Sequence, residues 1–398
     1  MSKRKRKGKS DRRIKHWHKR YQAGEDVEQH AERGRKHTQR AVKLPPSRLA
    51  APEENLDQMP KAEGLVTAMY RRGVLVRVEG RAAFCAVAKT FRAPEGSSAL
   101  AVGDIVTVAF THEHHTDGQV EIDKDRTEGF ILSRRPRETA LCRPRPMSAK
   151  RVDQYQAEVF EKVVAANMDV LLIVASTCQP KLRPRLVERF LIVAERGELE
   201  PVLAINKTDL APPDDRAVED FRSLGVEVIC CSAVTGDRLD ALRRRLAGRR
   251  TVLAGASGVG KSTLINALIP GAEAATRSVR AKDERGRHTT AAAAVYDLPA
   301  PDRPVGDPPA DLPFGVGPGG LLVDTPGVRE LGVHIDLEQL PWYFPEFEPL
   351  VPDCHFSNCT HTHEPDCAVL AAVEAGTVPR RRYVSYLRLR ESLEQGLA

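Results

Sequence analysis

No run of apolar residues in this sequence approaches the roughly 18 needed to span a bilayer as a helix, so no membrane partner is expected. The basic N-terminus is not followed by the apolar core of a secretory signal, which makes the cytoplasm the expected location. A disulfide framework is missing as well. Of eight cysteines, Cys85, Cys142, Cys178, Cys230 and Cys231 are scattered through ordinary segments, while three crowd into residues 354–367 beside histidines. That distribution favours a metal site over cross-links.

What is present is length enough for two or three domains in 398 residues, and a lopsided charge. Residues 1–40 hold fifteen Lys or Arg against five Asp or Glu, so of the net +7 the tail carries +10 and the rest −3. A basic tail on a near-neutral body suits a tether for a polyanion such as nucleic acid, whose counterions are released on contact. The plainer alternative is a solubilising tail.

Residues 1–59 read as basic tail and linker, the linker starting at Leu44-Pro-Pro-Ser-Arg. From Gly64 come five short β-like runs, GLVTAMY, GVLVRVEG, AAFCAVA, DIVTVAF and GQVEID, which suggest a small barrel of OB-fold type over residues 60–145. Such barrels commonly bind oligonucleotides, although a spacer would look the same. From Val163 buried strands alternate with helices (MDVLLIVAS, RLVERFLIVAERG, PVLAINK, VEVICCSA, TVLAGAS), the pattern of a parallel α/β sheet, placed at residues 146–332. Pro299–Gly320, with seven prolines and five glycines, reads as a mobile surface loop. Residues 333–398 hold the Cys/His cluster and a closing helical segment in which Tyr383, Tyr386 and Leu387 share a face, its arginines free to touch RNA or solvent.

Within the α/β part, Gly255-Ala256-Ser257-Gly258-Val259-Gly260-Lys261-Ser262 is a complete G-x-x-x-x-G-K-S loop between a strand and a helix, and the adjoining Thr263 is taken with it as a nucleotide-binding residue. Its backbone N–H groups suit phosphate oxygens, Lys261 the outer phosphates and the Ser262 hydroxyl Mg2+. Asn206-Lys207-Thr208-Asp209 resembles the N-K-x-D guanine motif of Ras-like GTPases, whose Asp accepts from guanine N1–H and the 2-amino group. Ser232-Ala233 matches the small-residue motif that offers a backbone N–H to guanine O6, and Asp324-Thr-Pro-Gly327 the D-x-P-G motif for Mg2+ and the γ-phosphate. Either Thr289 or Thr290 is the switch threonine. Where Ras has its water-orienting glutamine stands Val328, which predicts slow hydrolysis by the chain alone, and His288 is the candidate to position or deprotonate water.

In Ras-like proteins the N-K-x-D and Ser-Ala motifs come last; here they come first. This rotated order, with a barrel before it and a Cys/His cluster after it, resembles the bacterial ribosome small-subunit-dependent GTPase A family over about residues 60–395. VGDIV, GFILSRRPRETALCRP, GRHTT and DTPGVRELG carry local likenesses. The long basic tail and the 299–320 stretch depart from the family pattern.

The resemblance implies a multidomain fold: an OB-fold barrel, a circularly permuted α/β P-loop GTPase domain and a zinc-binding helical domain. It also implies hydrolysis of Mg2+-bound GTP to GDP, coupled to late maturation of the small ribosomal subunit and involving contact with its rRNA, by what is expected to be a monomer. Another assembly step, or a non-hydrolysing RNA scaffold, are the alternative readings. Cys354, Cys359, His361 and Cys367 form C-x4-C-x-H-x5-C, suited to one closed tetrahedral Zn2+ per chain. His355 and His363 stand close by, and the family pattern assigns the imidazole to His361.

Overall fold

In a computed structural model of the protein, residues 56, 58–70, 72–92, 100–111, 127–144, 161–272, 293–301, 312–325 and 337–395 are described. The first architectural unit is a closed barrel of β1 (Lys61–Met69), β2 (Val74–Val78), β3 (Arg81–Arg92), β4 (Ile105–Phe110) and β5 (Gly129–Arg134), in the order β1-β2-β3-β5-β4. Alternation is clear in β2: Val74, Val76 and Val78 are buried while Leu75 and Arg77 between them are not fully so. Val66, Val106, Val108 and Ile131 fill the same interior. Closure leaves no sheet edge for another chain to pair with.

One strand differs from the sequence expectation. The fifth barrel strand is GFILSR, given above only as part of a local family likeness; GQVEID, expected as the fifth run, lies outside the described residues. β5 pairs in parallel with β3 and antiparallel with β4. Its two faces are both covered, Ile131 by the barrel interior and Phe130 by Ala86 and Ala88, so it lacks the alternation that marks a half-exposed strand.

A two-stranded ladder, β6 (Ala140–Pro144) with β7 (Glu161–Ala166), leads into a six-stranded sheet. This sheet contains β8 (Val170–Ser176), β9 (Glu200–Asn206), β10 (Glu227–Cys230), β11 (Arg250–Ala254), β12 (Ala294–Asp297) and β13 (Leu321–Asp324), in the order β10-β9-β8-β11-β13-β12. Every neighbouring pair is parallel except β12–β13. β8 is buried along its whole length, as a central parallel strand covered on both faces should be. Helices α1 (Pro184–Arg196), α2 (Asp215–Arg222), α3 (Leu239–Leu246) and α4 (Lys261–Leu268) connect the strands. α1 begins on a proline, and α2 on Asp214, whose carboxylate accepts from the N–H groups of Arg216 and Ala217.

Strand order decides where a ligand fits. From β8 the chain works outward through β9 and β10, then returns to β11 and builds the other half, so the direction of winding reverses between β8 and β11. Open α/β sheets bind ligands beyond the carboxyl ends of the strands at such a reversal.

The barrel is keyed to the sheet through a buried polar joint. Asp104 is fully buried and accepts from Arg137 Nε at 2.7 Å, Arg137 Nη2 at 2.8 Å and the Ala101 N–H at 2.6 Å. Asn167 donates to the Gly103 carbonyl at 2.8 Å and accepts from the Glu138 N–H at 2.9 Å. Gly103 runs so near Ala166 that a Cβ would stand 2.0 Å from its carbonyl oxygen. Arg250, at the start of β11, donates to the Asn167 carbonyl at 2.9 Å, so the joint reaches the strand that carries the phosphate-loop sequence. A buried carboxylate with this many donors is costly to disturb from one side only.

Where it is described, the Pro/Gly-rich stretch is ordered rather than the mobile loop expected. Residues 302–311 lie outside the described residues, but 313–320 form two successive turns, closed by Val316 N–H to the Pro313 carbonyl at 3.0 Å and Gly320 N–H to the Gly317 carbonyl at 2.9 Å. Val316 is buried and Phe314 packs against the same core.

At the C-terminus, α5 (Ala368–Glu374) and α6 (Arg380–Glu394) gather around Phe344, Phe347 and Tyr386, whose rings lie 5.1–5.4 Å apart. Tyr386 is fully buried and Tyr383 and Leu387 pack beside it, as their shared face requires. Arg382 is an exception among the arginines of this helix. It is buried, bonds Glu346 at 2.5 Å and lies 4.6 Å over the Phe344 ring, so it faces neither RNA nor solvent.

Candidate nucleotide and metal sites

The motif residues converge at the carboxyl ends of the strands. Gly255–Ser262 leaves β11 and enters α4, Asn206–Asp209 leaves β9, Ser232-Ala233 follows β10, and Asp324 ends β13. Asn206, buried to 2 % exposure, joins three of them. Its Nδ2 donates to the Val259 carbonyl at 3.1 Å, and its Oδ1 accepts from the Ala233 N–H at 3.0 Å. Motifs 53 and 27 residues away from it in sequence thus share one side chain.

Lys207 adds a second tie. It takes a left-handed backbone (φ 66°), and its ammonium donates to the Gly258 carbonyl at 2.7 Å and to the Gln179 carbonyl. Gly260, at φ 94°, approaches Asn206 so closely that a Cβ would stand 2.4 Å from Nδ2; the loop needs glycine there for both reasons. Lys261 Nζ donates to the Gly255 and Ala256 carbonyls at 2.7 and 2.6 Å, which holds the ammonium inside the curve of the loop. Ser257, Gly258, Ser262 and Thr263 are exposed.

At the other end of the site, Ser232 is fully buried and its Oγ accepts from the Val234 and Thr235 N–H groups at 3.2 and 3.1 Å. Its single proton therefore goes to Asp209 Oδ1, 2.6 Å away. This fixes the carboxylate's rotation, a role that Ser-Ala as a dipeptide did not disclose. The Ala233 N–H expected to serve guanine O6 donates to Asn206 instead, so a base must share it or draw it away. Thr208 sits beside them, its N–H 3.3 Å from the Cys231 carbonyl.

Asp324 is half-buried and faces Leu253 across the β11–β13 ladder, beside the phosphate-loop strand. His288, Thr289, Thr290, Gly327 and Val328 lie outside the described residues.

The second constellation is Cys354, Cys359, His361 and Cys367, whose ligand atoms all lie within 4.8 Å of one another. Cys354 Sγ is 3.6 Å from His361 Nδ1 and 3.9 Å from Cys367 Sγ, and Nδ1 is 3.4 Å from Cys367 Sγ. A tetrahedron with zinc–sulfur bonds of about 2.3 Å has edges of roughly 3.8 Å, so the donor set fits zinc in spacing and in chemistry. Nδ1 faces the sulfurs; Nε2 is buried without a hydrogen-bond partner. Neither His355 nor His363 belongs to the group. Burial pushes the Cys359 thiol up to about 12 and holds the His361 imidazole below its ordinary value, so the imidazole is ready to ligate while the thiols must release protons to a metal.

Sequence reasoning missed Glu364. Burial alone would raise its pKa, but hydrogen bonds from Thr360 Oγ1 and from the N–H groups of Thr360 (2.7 Å), Thr362 (3.0 Å) and His363 (3.2 Å) overcome this and hold it well below the carboxylate range. The carboxylate pins the backbone on both sides of His361. With the folded pKa depressed, its contribution is complete above the unfolded value of about 4.3 and is lost as pH falls below it. Glu364→Gln is expected to weaken zinc binding about tenfold near neutrality, read by competition with a fluorescent chelator. The gap from the parent should persist across about pH 5–8, where the folded parent's carboxylate stays ionised; a gap that closes within that window contradicts this role.

Comparison with known proteins agrees with this geometry. A family model described as RsgA GTPase matches residues 135–334. The small ribosomal subunit biogenesis GTPase RsgA of Gemmatimonas aurantiaca is 38% identical over 301 residues, covering 75% of this chain and 86% of that one. The protein of the same name from Bordetella pertussis is 38% identical over 336 residues, covering 83% and 95%. Among solved structures, YjeQ from Thermotoga maritima superposes with a TM-score of 0.57 at 27% identity, covering 84% of this chain and 99% of that one. YloQ, described as a circularly permuted GTPase, shares the fold with a TM-score of 0.56 at 24% identity. With its phosphate loop, its guanine-type motif and their shared Asn206 in rotated chain order, this chain belongs to the RsgA GTPase family.

Proposed function

We propose that this GTPase works in the cytoplasm on the small ribosomal subunit, binding its rRNA and coupling GTP hydrolysis to a late step of that subunit's maturation. The observation that carries the reading is the Asn206 junction of three nucleotide motifs, in a chain whose relatives are named for small-subunit biogenesis. We assign the domains at the boundaries read from the sequence: tail and linker 1–59, an OB-type barrel 60–145, the permuted GTPase domain 146–332 and a zinc-binding domain 333–398. The basic tail and the barrel supply the RNA contacts.

Within the site, the N–H groups of Gly255–Ser262 hold phosphate oxygens, Lys261 the outer phosphates, and Asp209 with Lys207 the base. Ser262 and Asp324 serve Mg2+, joined by Thr289 or Thr290 and the Gly327 N–H when the γ-phosphate is present. Val328 has no side-chain hydrogen bond to give water, so hydrolysis is slow until the subunit completes the site, with His288 placing the water. Four protein ligands close the zinc site to catalysis, so its work is structural.

Sedimentation of the full chain with isolated small subunits tests the reading. Binding should be tighter with a non-hydrolysable GTP analogue than with GDP and should fall steeply with salt. Equal retention in both nucleotides, or none, contradicts it. Stimulated turnover should drop in His288→Ala; an unchanged stimulated rate removes that residue from the mechanism.

A further inference from the structure

The barrel also meets the six-stranded sheet at its β12 edge. Arg77 of β2 donates from Nη1 to Asp297 Oδ1 at 2.6 Å, linking residues 220 positions apart. Leu65 of β1, fully buried, shares an apolar cluster with Val316, and Phe314 packs against that cluster. Between the last two, Gly315 passes so near Leu65 that a Cβ would stand 3.3 Å from the leucine Cβ. The barrel therefore holds both β12 and the turn that leads into β13.

Those strands form the ladder on which Asp324 lies. β12 runs antiparallel to β13, with Asp297 opposite Leu321 and Ala294 opposite Asp324. A restraint at Asp297 thus acts three residues, about 10 Å, from the pair that holds the Asp324 backbone on its β12 side, Leu253 of β11 holding the other. Neither barrel closure nor the motif network requires the Arg77–Asp297 pair.

We propose that Arg77, Asp297 and the 314–316 turn form a clasp through which the barrel fixes the β12–β13 edge and positions Asp324 for the Mg2+-bound GTP state. Arg77 and Asp297 are positioning residues, since they touch Asp324 only through the ladder. The pair is partly solvated, with side chains 20% and 60% exposed, so its own attraction is modest and the apolar contact at Leu65 provides most of the grip. The proposal rests on the reading of Asp324 as the Mg2+ carboxylate. It does not depend on the ribosomal reading.

The test uses the full chain with fluorescent GDP and a fluorescent non-hydrolysable GTP analogue, each with and without Mg2+. Arg77→Glu and Asp297→Arg should each lower the Mg2+-dependent affinity for the GTP analogue by about two- to fivefold, leaving GDP affinity without Mg2+ unchanged. The double reversal should restore the parent value. Unchanged analogue affinity in the single variants, no recovery in the double, or an equal loss for every nucleotide overturns the clasp. Asp324→Asn is the control and should abolish the Mg2+ dependence. If it does so while the reversals have no effect, the clasp alone fails. If Asp324→Asn keeps its Mg2+ dependence, the Mg2+ reading fails and takes the clasp with it.

Discussion

Asp209→Asn is expected to lower GTP affinity by about a hundredfold and to make a xanthine nucleotide the better ligand. The orientation of the new amide follows from hydrogen bonds already counted. Ser232 Oγ accepts from two backbone N–H groups and gives its one proton to Asp209 Oδ1. The asparagine must keep its carbonyl oxygen toward Ser232, which turns its NH2 group toward the base. Guanine presents N1–H and a 2-amino group there, donor against donor; xanthine presents a carbonyl at position 2. Equilibrium binding of fluorescent GDP and XDP decides it. A variant that loses both nucleotides alike, or still prefers guanine, contradicts the assignment of Asp209 to the base. Ser232→Ala frees the carboxylate to rotate and should blur the preference without reversing it.

That prediction also marks how far the sequence could be read. The residue types around the base were legible because each motif has fixed spacing and a chemistry that few other residues supply. The link between them was not legible, since Asn206 reaches Val259 and Ala233 only once β9, β10 and β11 are packed in one sheet. The same distinction holds elsewhere. Four barrel strands announced themselves as short β-like runs, whereas β5, covered on both faces, did not. Val316 sits in a run of prolines and glycines whose composition speaks only of turns, and it is buried in a cluster that includes Leu65, some 250 residues earlier. Glu364 was hidden because three of its four donors are backbone groups of its own loop, which carry no side-chain signature. Arg382 reads as one of a run of surface arginines until Glu346 and Phe344 are folded against it.

Stripping zinc is expected to loosen residues 354–367 while leaving the sheet and its nucleotide site folded. The loop has little regular structure of its own, and its shape is set by the four ligands, by Glu364, and by two tyrosines of α6: Tyr383 Oη donates to the His361 carbonyl at 2.9 Å and Tyr386 Oη to the Thr360 carbonyl at 2.8 Å. Structural zinc contributes on the order of 10 kcal/mol to small domains of this kind, far more than those two bonds can replace. The loss should stop at α6, which is anchored independently. Ser385 bonds Glu188 at 2.8 Å and Arg189 bonds Ser392 at 3.1 Å, both to α1, and Arg381 pairs with Asp220 of α2. Cys367→Ala should exceed Cys359→Ala in effect, because Cys367 Sγ also accepts from the Leu370 N–H at 3.5 Å and caps α5, a bond that alanine cannot replace. After chelation, protease cleavage within 354–367 should appear, the emission of Trp342 should shift, and GDP affinity should stay within about twofold, since no zinc ligand touches the nucleotide motifs. Chelation that leaves the loop resistant would mean the lobe stands on its aromatic core alone. Chelation that abolishes GDP binding would mean that the anchor through α1 transmits the collapse into the sheet.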